Sequence, residues 1–389
     1  GENRGRVRRV NRVTEEGWFQ KTYAIEIEVD GRGKIDIEPG DVLRVKPKNR
    51  KEKVERIIKL MKECGRFEDV VREGATMVIS KVVDSSSSVP DSFEGSLTSS
   101  SVLTTLTSLL TSSVDLGYTG VDVNTMHELS HYVDLNAEKG GMQYDKLRSL
   151  AGGEGEALFR DYVVKEKRGI VEILEEFDSV WGPDGITLPG LLSVFRSIQP
   201  REYSISSSPS DTAKKGTVEI LAAVKKGTTR LGRKYVGGCS DYFIDIVEGM
   251  EKRANDVNGR PPKPPNTGTT EESTIPTKPP PSINGADISP SYPSDYVVYT
   301  VRSGSFGVVS RLGPGFPLLC VGSGTGIAPL RSVLRERGKG EGDVLVQGFR
   351  KEGMDEYYAR EWEEMGIEVW KAESQKGVRK VYVQDVIRE

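Results

Sequence analysis

Residues 318–337, L-L-C-V-G-S-G-T-G-I-A-P-L-R-S-V-L-R-E-R, contain an apolar run, a glycine-rich turn and a helical pattern in that order. Gly322, Gly324 and Gly326 would let the backbone come close to a phosphate group. Thr325 would add a hydroxyl donor where the helix begins. Glycine also serves ordinary strand-to-helix turns, because it adopts positive φ freely. The stretch predicts strand, turn and helix, with either a phosphate site or a plain tight turn at its centre.

The segments after this turn alternate between strand-like and helix-like patterns. D-V-L-V-Q-G-F-R at 343–350 and I-E-V-W-K-A at 367–372 resemble strands, and Y-Y-A-R-E-W-E-E-M at 357–365 lies between them as a helix. V-Y-V at 381–383 has the composition of another strand. This alternation predicts an α/β domain with a parallel sheet.

The rest of the chain has a different pattern. Short alternating runs at 7–13, 23–29, 41–45 and 218–224 are typical of antiparallel strands. Helical patterns dominate between about 124 and 199. The pattern therefore predicts an antiparallel β-barrel that is interrupted by a helical block.

Two low-complexity stretches separate these parts. Residues 84–113 are dominated by Ser and Thr, which predicts a disordered insertion, although V-L-T-T-L-T-S-L-L could form one or two helical turns. Residues 254–294 are proline-rich and predict an extended loop. The predicted domains are a first barrel part (1–83), a Ser/Thr-rich insertion (84–116), a helical domain (117–199), a second barrel part (200–313) and an incomplete α/β domain (314–389).

Composition excludes several classes of function. The chain has 55 Lys and Arg against 58 Asp and Glu, so no global positive charge attracts nucleic acid or an anionic membrane. Its three cysteines have no paired spacing, which predicts a reducing, cytoplasmic setting. No apolar run is long enough for a membrane segment. The chain starts at Gly1, and we expect it to be a piece of a longer polypeptide.

A second motif, R-E-Y-S-I-S-S-S-P at 201–209, has the residues that a flavin site needs. Arg201 could pair with a pyrophosphate, Tyr203 could pack on an isoalloxazine face, and the Ser204 hydroxyl could bond a ring nitrogen. The alternative is a serine-rich strand end after a proline. G-G-C-S at 237–240 precedes an apolar helix and could offer amide and hydroxyl donors to the same pyrophosphate.

One motif points to a different class of protein. H-E-L-S-H at 127–131 contains the only two histidines and matches H-E-x-x-H, in which His127 and His131 would bind zinc and Glu128 would be the general base. Glu154 or Glu156 would be the third ligand. A zinc metallopeptidase is therefore the alternative hypothesis, although we assign no metal ligand in the favoured interpretation.

Taken in order, the motifs resemble those of the NADPH-dependent diflavin reductases. R-E-Y-S-I-S-S-S-P and G-G-C-S resemble their two FAD motifs, and V-G-S-G-T-G-I-A-P at 321–329 resembles their NADPH pyrophosphate motif. Q-G-F-R, D-E-Y-Y-A-R-E-W and K-V-Y-V-Q resemble the rest of the NADPH half. Residues 131–136 and 153–177 resemble the connecting domain inserted into the FAD barrel of these enzymes.

The resemblance implies a role for each matching residue. The residues implied for FAD are Arg201, Tyr203, Ser204, Gly237, Gly238, Cys239 and Ser240. Those implied for NADPH are Gly324, Thr325, Gly326, Ser374, Lys380, Tyr382 and Gln384, with Arg350 as a candidate helper. Ser204, expected near the flavin N5, is the one side chain implied in the hydride step.

The resemblance also implies a reaction. NADPH would reduce FAD, and electrons would pass through FMN to a protein acceptor. Among family members we favour the cytosolic reductase of iron–sulfur cluster assembly, with the cytochrome P-450 and sulfite reductase types as alternatives. A catalytically inactive flavin-binding remnant is a further alternative.

The chain departs from the family pattern in two ways. Gln375 stands where the family usually has an arginine, which leaves NADPH and NADH both open, with Lys376 and Arg379 as candidate substitutes. The FMN domain and the last part of the NADPH domain have no counterpart in residues 1–389. We therefore expect FMN only on a domain outside this chain, and an incomplete hydride-transfer site.

Overall fold

A computed structural model describes residues 2–29, 36–72, 75–79, 102–258, 295–306, 309, 312–313, 315–338, 340, 342–377 and 380–388. Over these residues the strands are β1 (Asn3–Arg12), β2 (Thr22–Glu28), β3 (Val42–Lys46), β4 (Thr76–Ile79), β5 (Val102–Thr105), β6 (Arg201–Ser204), β7 (Thr217–Ala223), β8 (Lys226–Thr228), β9 (Lys234–Val236), β10 (Tyr296–Arg302), β11 (Leu319–Ser323), β12 (Val344–Phe349) and β13 (Glu368–Glu373).

Over the same residues the α-helices are α1 (Lys51–Glu63), α2 (Glu68–Val71), α3 (Leu106–Ser112), α4 (Val123–Ser130), α5 (Gly140–Ala151), α6 (Glu156–Phe159), α7 (Ile170–Glu176), α8 (Leu188–Val194), α9 (Pro209–Lys215), α10 (Gly238–Asn258), α11 (Ile327–Arg337), α12 (Ala359–Met365) and α13 (Val383–Arg388). A π-helical turn at Arg160–Val164 continues α6.

Six strands form an antiparallel sheet in the order β6-β3-β10-β1-β2-β7. Their alternating sequence places apolar side chains on one face, so that Ile25 lies opposite Ile220 and Ile27 opposite Val218. These four side chains are buried and belong to one apolar core. The antiparallel sheet predicted from the alternating runs is confirmed.

The helical block has its own core. Helices α1 and α3–α8 contribute buried apolar side chains to a single cluster that includes Ile57, Leu129, Leu174 and Trp181. Side-chain caps fix where the helices begin. At α4 the Asp122 carboxylate accepts a hydrogen bond from the Thr125 amide, and the Thr125 hydroxyl bonds back to the Asp122 amide.

The prediction of disorder is wrong for the second part of the Ser/Thr-rich stretch. Residues 102–105 form β5, which pairs with β4, and α3 follows directly. Leu106 and Leu110, one helical turn apart, are fully buried in the helical core, and the Thr105 hydroxyl caps α3. The burial of these leucines stabilises the helix despite its composition. Residues 84–101 lie outside the described residues.

The proline-rich stretch gives a related result. Helix α10 continues to Asn258, so the predicted loop begins at least five residues later than expected. Residues 259–294 lie outside the described residues.

The C-terminal part contains the predicted parallel sheet, in the order β11-β12-β13. Helices α11 and α12 bury Leu334 and Trp362 in one core with Leu345 of β12. The strand predicted at V-Y-V is wrong, because Val383 begins α13. The Asp385 carboxylate accepts a hydrogen bond from the Tyr382 amide at 2.9 Å, an interaction that stabilises a helix N-terminus.

Leu110→Ala tests the ordered part of the Ser/Thr-rich stretch. We expect the free energy of unfolding to fall by about 2–5 kcal/mol, because a fully buried leucine is replaced by a cavity. Thr107→Ala, at an exposed position of the same helix, should change it by about 0.5 kcal/mol or less. Urea denaturation measures both values, and equal small losses would show that this helix does not pack on the core.

Candidate nucleotide-binding sites

The carboxyl ends of the three parallel strands face a cleft of about 450 Å³. Ser323 ends β11, Phe349 ends β12, and Ser374 follows β13, and all three line it. Gln20 and Ala223, from the antiparallel part of the chain, complete its wall. Ligands of open parallel sheets bind at this edge, so the cleft is the natural place for a nucleotide.

The glycine-rich turn forms one side of the cleft. Gly324 has a φ of +53°, which a glycine adopts without strain. A Cβ at Gly322 would lie 2.8 Å from the end of the Leu330 side chain, so this glycine lets α11 pack closely on the sheet. In contrast, a Cβ at Gly324 or Gly326 would meet no atom within 4 Å. The turn therefore leaves open space in front of the helix N-terminus, where an anion is favoured.

Six of the eight residues predicted on this side line the cleft, namely Gly324, Thr325, Arg350, Ser374, Tyr382 and Gln384. Gly326 and the exposed Lys380 are not among the lining residues. Sequence reasoning missed Gln20, Asp355 and Tyr357, which also line it. Tyr357 bonds Thr22 of β2 through the two hydroxyl oxygens at 2.9 Å, a contact between distant parts of the chain that no local pattern reveals.

Arg350 joins the cleft to the antiparallel part of the chain. Its guanidinium donates to Gln20 Oε1 at 2.6 Å and lies 4.8 Å from the centre of the Phe19 ring. Its amide donates to the buried Asp355 carboxylate at 3.1 Å. The side chain is thus held at the cleft wall by existing partners.

The loop after β13 is fastened to the end of β12. The amides of Ser374 and Gln375 donate to the carbonyls of Phe349 and Arg350 at 3.0 and 2.8 Å. Lys376 is exposed and forms an ion pair with Glu373 at 3.5 Å. Arg379 lies outside the described residues, so Lys376 is the candidate substitute that the structure describes.

The flavin motif forms the edge strand β6 beside β3. Arg201 donates to the hydroxyl of Thr119, which lies between α3 and α4, at 3.3 Å. Tyr203 packs edge-to-face on Phe243 at 5.5 Å, and burial raises the pKa of its phenol. Ser204 is half-buried and pairs with Val42 in the sheet register.

The G-G-C-S segment lies at the start of α10. Burial raises the pKa of the Cys239 thiol to about 12, while its hydrogen bond with Tyr203 and the charge of Arg201 lower it. The fold therefore brings Arg201, Tyr203 and Cys239 together. The Ser240 hydroxyl accepts a hydrogen bond from the Lys225 amide at 2.9 Å.

The two glycines of this segment differ in their surroundings. The Gly237 amide donates to the Lys225 carbonyl at 2.8 Å, which fixes the segment to the short connection between β7 and β8. A Cβ at Gly238 would meet nothing within 4 Å. The N-terminus of α10 is thus open on one side, as a pyrophosphate site requires.

The serines that end the flavin motif have a structural role that the sequence did not reveal. The Ser206 hydroxyl donates to Glu219 at 2.8 Å, and the Ser207 carbonyl accepts from the Ser332 hydroxyl at 2.8 Å. Ser208 caps α9. This segment therefore forms the joint between the antiparallel sheet and α11.

Arg331 of α11 is the centre of that joint. Its guanidinium bonds Glu219 of β7 and Glu361 of α12, both at 2.8 Å, and donates to the Ser206 carbonyl at 3.1 Å. It also lies 4.3 Å from the centre of the Tyr358 ring. Only 11% of its side chain is exposed, so these ion pairs are shielded from water.

The histidine motif lies on α4 and its C-cap residue, His131. Among the described residues, no group of three or more His, Cys, Asp or Glu side chains is arranged to hold a metal ion. Glu156 is paired with Arg160, and the side chain of Glu154 is not described. A zinc site of the metallopeptidase type would therefore lack its third protein ligand in the described part of the chain.

Comparison with known proteins identifies the family. The model of the FAD-binding domain family matches residues 4–242. The chain belongs to the FAD-binding domain family. The match includes β6 and the start of α10, and it spans the helical block, in agreement with the motif resemblance.

Relatives of this FAD-binding domain include NADPH-dependent diflavin oxidoreductase 1 of Danio rerio, which is 26% identical over 97% of the chain and 53% of that protein. The protein of the same name from Mus musculus is 29% identical over 64% of the chain and 35% of its own length. That of Emericella nidulans is 26% identical over 97% and 52%. The chain thus spans about half the length of several curated relatives, and the predicted resemblance to the diflavin reductases is confirmed.

In the described residues, none of the helices has the length and hydropathy to cross a membrane.

Arg331→Met tests the joint. We expect the free energy of unfolding to fall by about 3–5 kcal/mol, because Glu219 and Glu361 lose a buried counter-charge. The control is Arg360→Met on α12, whose side chain is 91% exposed and paired only with Glu364 among the ion pairs described, and it should cost about 0.5 kcal/mol. Equal losses in urea denaturation would contradict a special role for Arg331.

Proposed function

We propose that this chain is the FAD- and NADPH-binding part of a flavoprotein reductase, which accepts hydride from NADPH and passes electrons to a protein acceptor. Two open helix N-termini carry the proposal. That of α10 lies beside Arg201, and that of α11 faces the cleft of the parallel sheet. The amides of α10 beside Arg201 suit a dinucleotide pyrophosphate, and so do the amides of α11 at the cleft. The similarity to NADPH-dependent diflavin oxidoreductases supports this assignment.

The residues present fit FAD at β6 and α10. Arg201 would bond the pyrophosphate together with the free amides of α10 beside Gly238, where a Cβ would meet no neighbour. Tyr203 would border the ring system from its position on Phe243, and Ser204 would bond a ring nitrogen. When bound, FAD supplies an acceptor for two electrons that can be released one at a time.

A closed barrel would hold this site rigidly. We propose that the antiparallel sheet closes between its edge strands, β6 and β7. The Ser206 amide donates to the Glu219 carbonyl at 2.7 Å, and Ile205 forms an isolated bridge with Ile220. These bonds support closure immediately after β6 ends, next to the flavin residues.

On the cleft side, the chain would bind and orient NADPH. The turn Gly324–Gly326 with Thr325 would hold the pyrophosphate. Ser374, Tyr382 and Gln384 would surround the adenosine end, and Lys380 and Lys376 are the exposed cations nearest to them in sequence. These charges favour NADPH over NADH.

The similar proteins suggest an electron acceptor and a cellular process for this chain. We propose that electrons leave through an FMN-containing domain or protein outside this chain, and that iron–sulfur cluster assembly in the cytoplasm is the process served. P-450 and sulfite reductase-type roles remain the alternatives. The three free cysteines, of which Cys239 and Cys320 are buried, suit a reducing compartment.

FAD titration of Arg201→Ala tests the flavin site. We expect its FAD affinity to fall by about tenfold to a hundredfold, since a charge-assisted hydrogen bond is worth about 1.5–3 kcal/mol. Arg302→Ala on β10 is the control, because that side chain is 57% exposed and paired with Glu202. Visible absorbance and flavin fluorescence report binding. A wild-type chain that takes up no FAD would overturn the proposal.

NADPH added to the FAD-loaded chain tests the electron donor. Bleaching of the flavin band, faster with NADPH than with NADH, supports the reductase. Retained FAD without bleaching by either nucleotide would support a flavin-binding remnant instead.

A further inference from the structure

The two histidines of the chain lie side by side on the exposed face of α4. His127 and His131 are both exposed, and their ring centroids are 4.8 Å apart with an interplanar angle of 78°. Their spacing of four residues places them on the same face, one turn apart. Met126 and Leu129 on the other face are fully buried, which fixes the rotation of the helix and keeps both rings outward.

The separation of the rings matches the geometry of a metal chelate. An imidazole nitrogen lies about 2.1 Å from Zn²⁺, which places the ring centroid about 3.2 Å from the ion. Two rings that meet a metal at about 90–110° then have centroids about 4.5–5.2 Å apart. The observed 4.8 Å falls within this range, so both rings are close enough to bind one ion once their nitrogens turn toward it.

The surroundings limit the site to two protein ligands. Arg196 lies 3.7 Å from Glu128 and bonds Asp122 at 3.0 Å, so both carboxylates face a cation already. The helix ends at Ser130 with His131 as its C-cap, and this end of a helix favours positive charge. The remaining metal positions would be open to water or to an external ligand.

We propose that His127 and His131 form a two-imidazole site for a divalent transition-metal ion, Zn²⁺ or Cu²⁺. Imidazole nitrogen suits these ions, whereas ions such as Mg²⁺ prefer oxygen ligands. Since the described residues offer no third protein ligand, the site would bind metal without the chemistry of a peptidase.

Calorimetric titration of the 389-residue chain with Zn²⁺ tests the proposal. We expect one ion per chain, and His127→Gln or His131→Gln should each lower the affinity by about tenfold or more, because one of two metal–imidazole bonds is lost. Both side chains are exposed, so the variants should keep the wild-type thermal unfolding midpoint and FAD affinity. Cys64→Ser, at the half-buried cysteine, is the control and should bind Zn²⁺ as the wild type does.

A second measurement needs no variant. Because the chain has only two histidines, its imidazole NMR signals report this site alone. Both rings should shift with the same Zn²⁺ midpoint and broaden together with Cu²⁺. Unchanged Zn²⁺ affinity in the double variant His127→Gln/His131→Gln, a response of one ring only, or no binding by the wild type would overturn the proposal.

Discussion

The buried guanidinium of Arg331 is the interaction on which the arrangement of the two sheets depends. It bonds the antiparallel sheet through Glu219 and the parallel part through Glu361, with only 11% of its side chain exposed. A buried charge is costly unless its hydrogen bonds are satisfied, so the partners on both sides must stay in place. Arg331 lies one helical turn beyond the glycine-rich turn. The bonds that hold the sheets together therefore also fix the distance between the flavin strand and the cleft.

The flavin motif at 201–209 has two roles, one at the flavin site and one in the contact between the sheets. Its first four residues form β6, where Arg201 and Tyr203 face the start of α10. Its serines bond Glu219 and Ser332 and so belong to the joint. One continuous segment thus presents the flavin side chains and docks the nucleotide helix. A change in the joint would be expected to move both sites relative to each other.

Local sequence patterns predicted the elements that depend on neighbouring residues. Alternation predicted β2 and β7, and the glycine spacing predicted the strand, turn and helix around Gly324. Contacts between distant residues left no such pattern. Arg331 and Glu219 are 112 residues apart, and Thr22 bonds Tyr357 across 335 residues. Composition wrongly predicted disorder at 102–112, where burial of Leu106 and Leu110 stabilises a helix despite the surrounding Ser and Thr. It also wrongly predicted a strand at V-Y-V, where Asp385 favours a helix.

We expect the two sheets to unfold as one unit because Arg331 joins them. Hydrogen–deuterium exchange at increasing urea, read by mass spectrometry, follows the amides of β7 and β12 separately within one sample. Residues 217–223 and 344–349 should lose protection at the same urea concentration in the wild type, and at different concentrations in Arg331→Met. Loss of protection in β12 well before β7 in the wild type would contradict it.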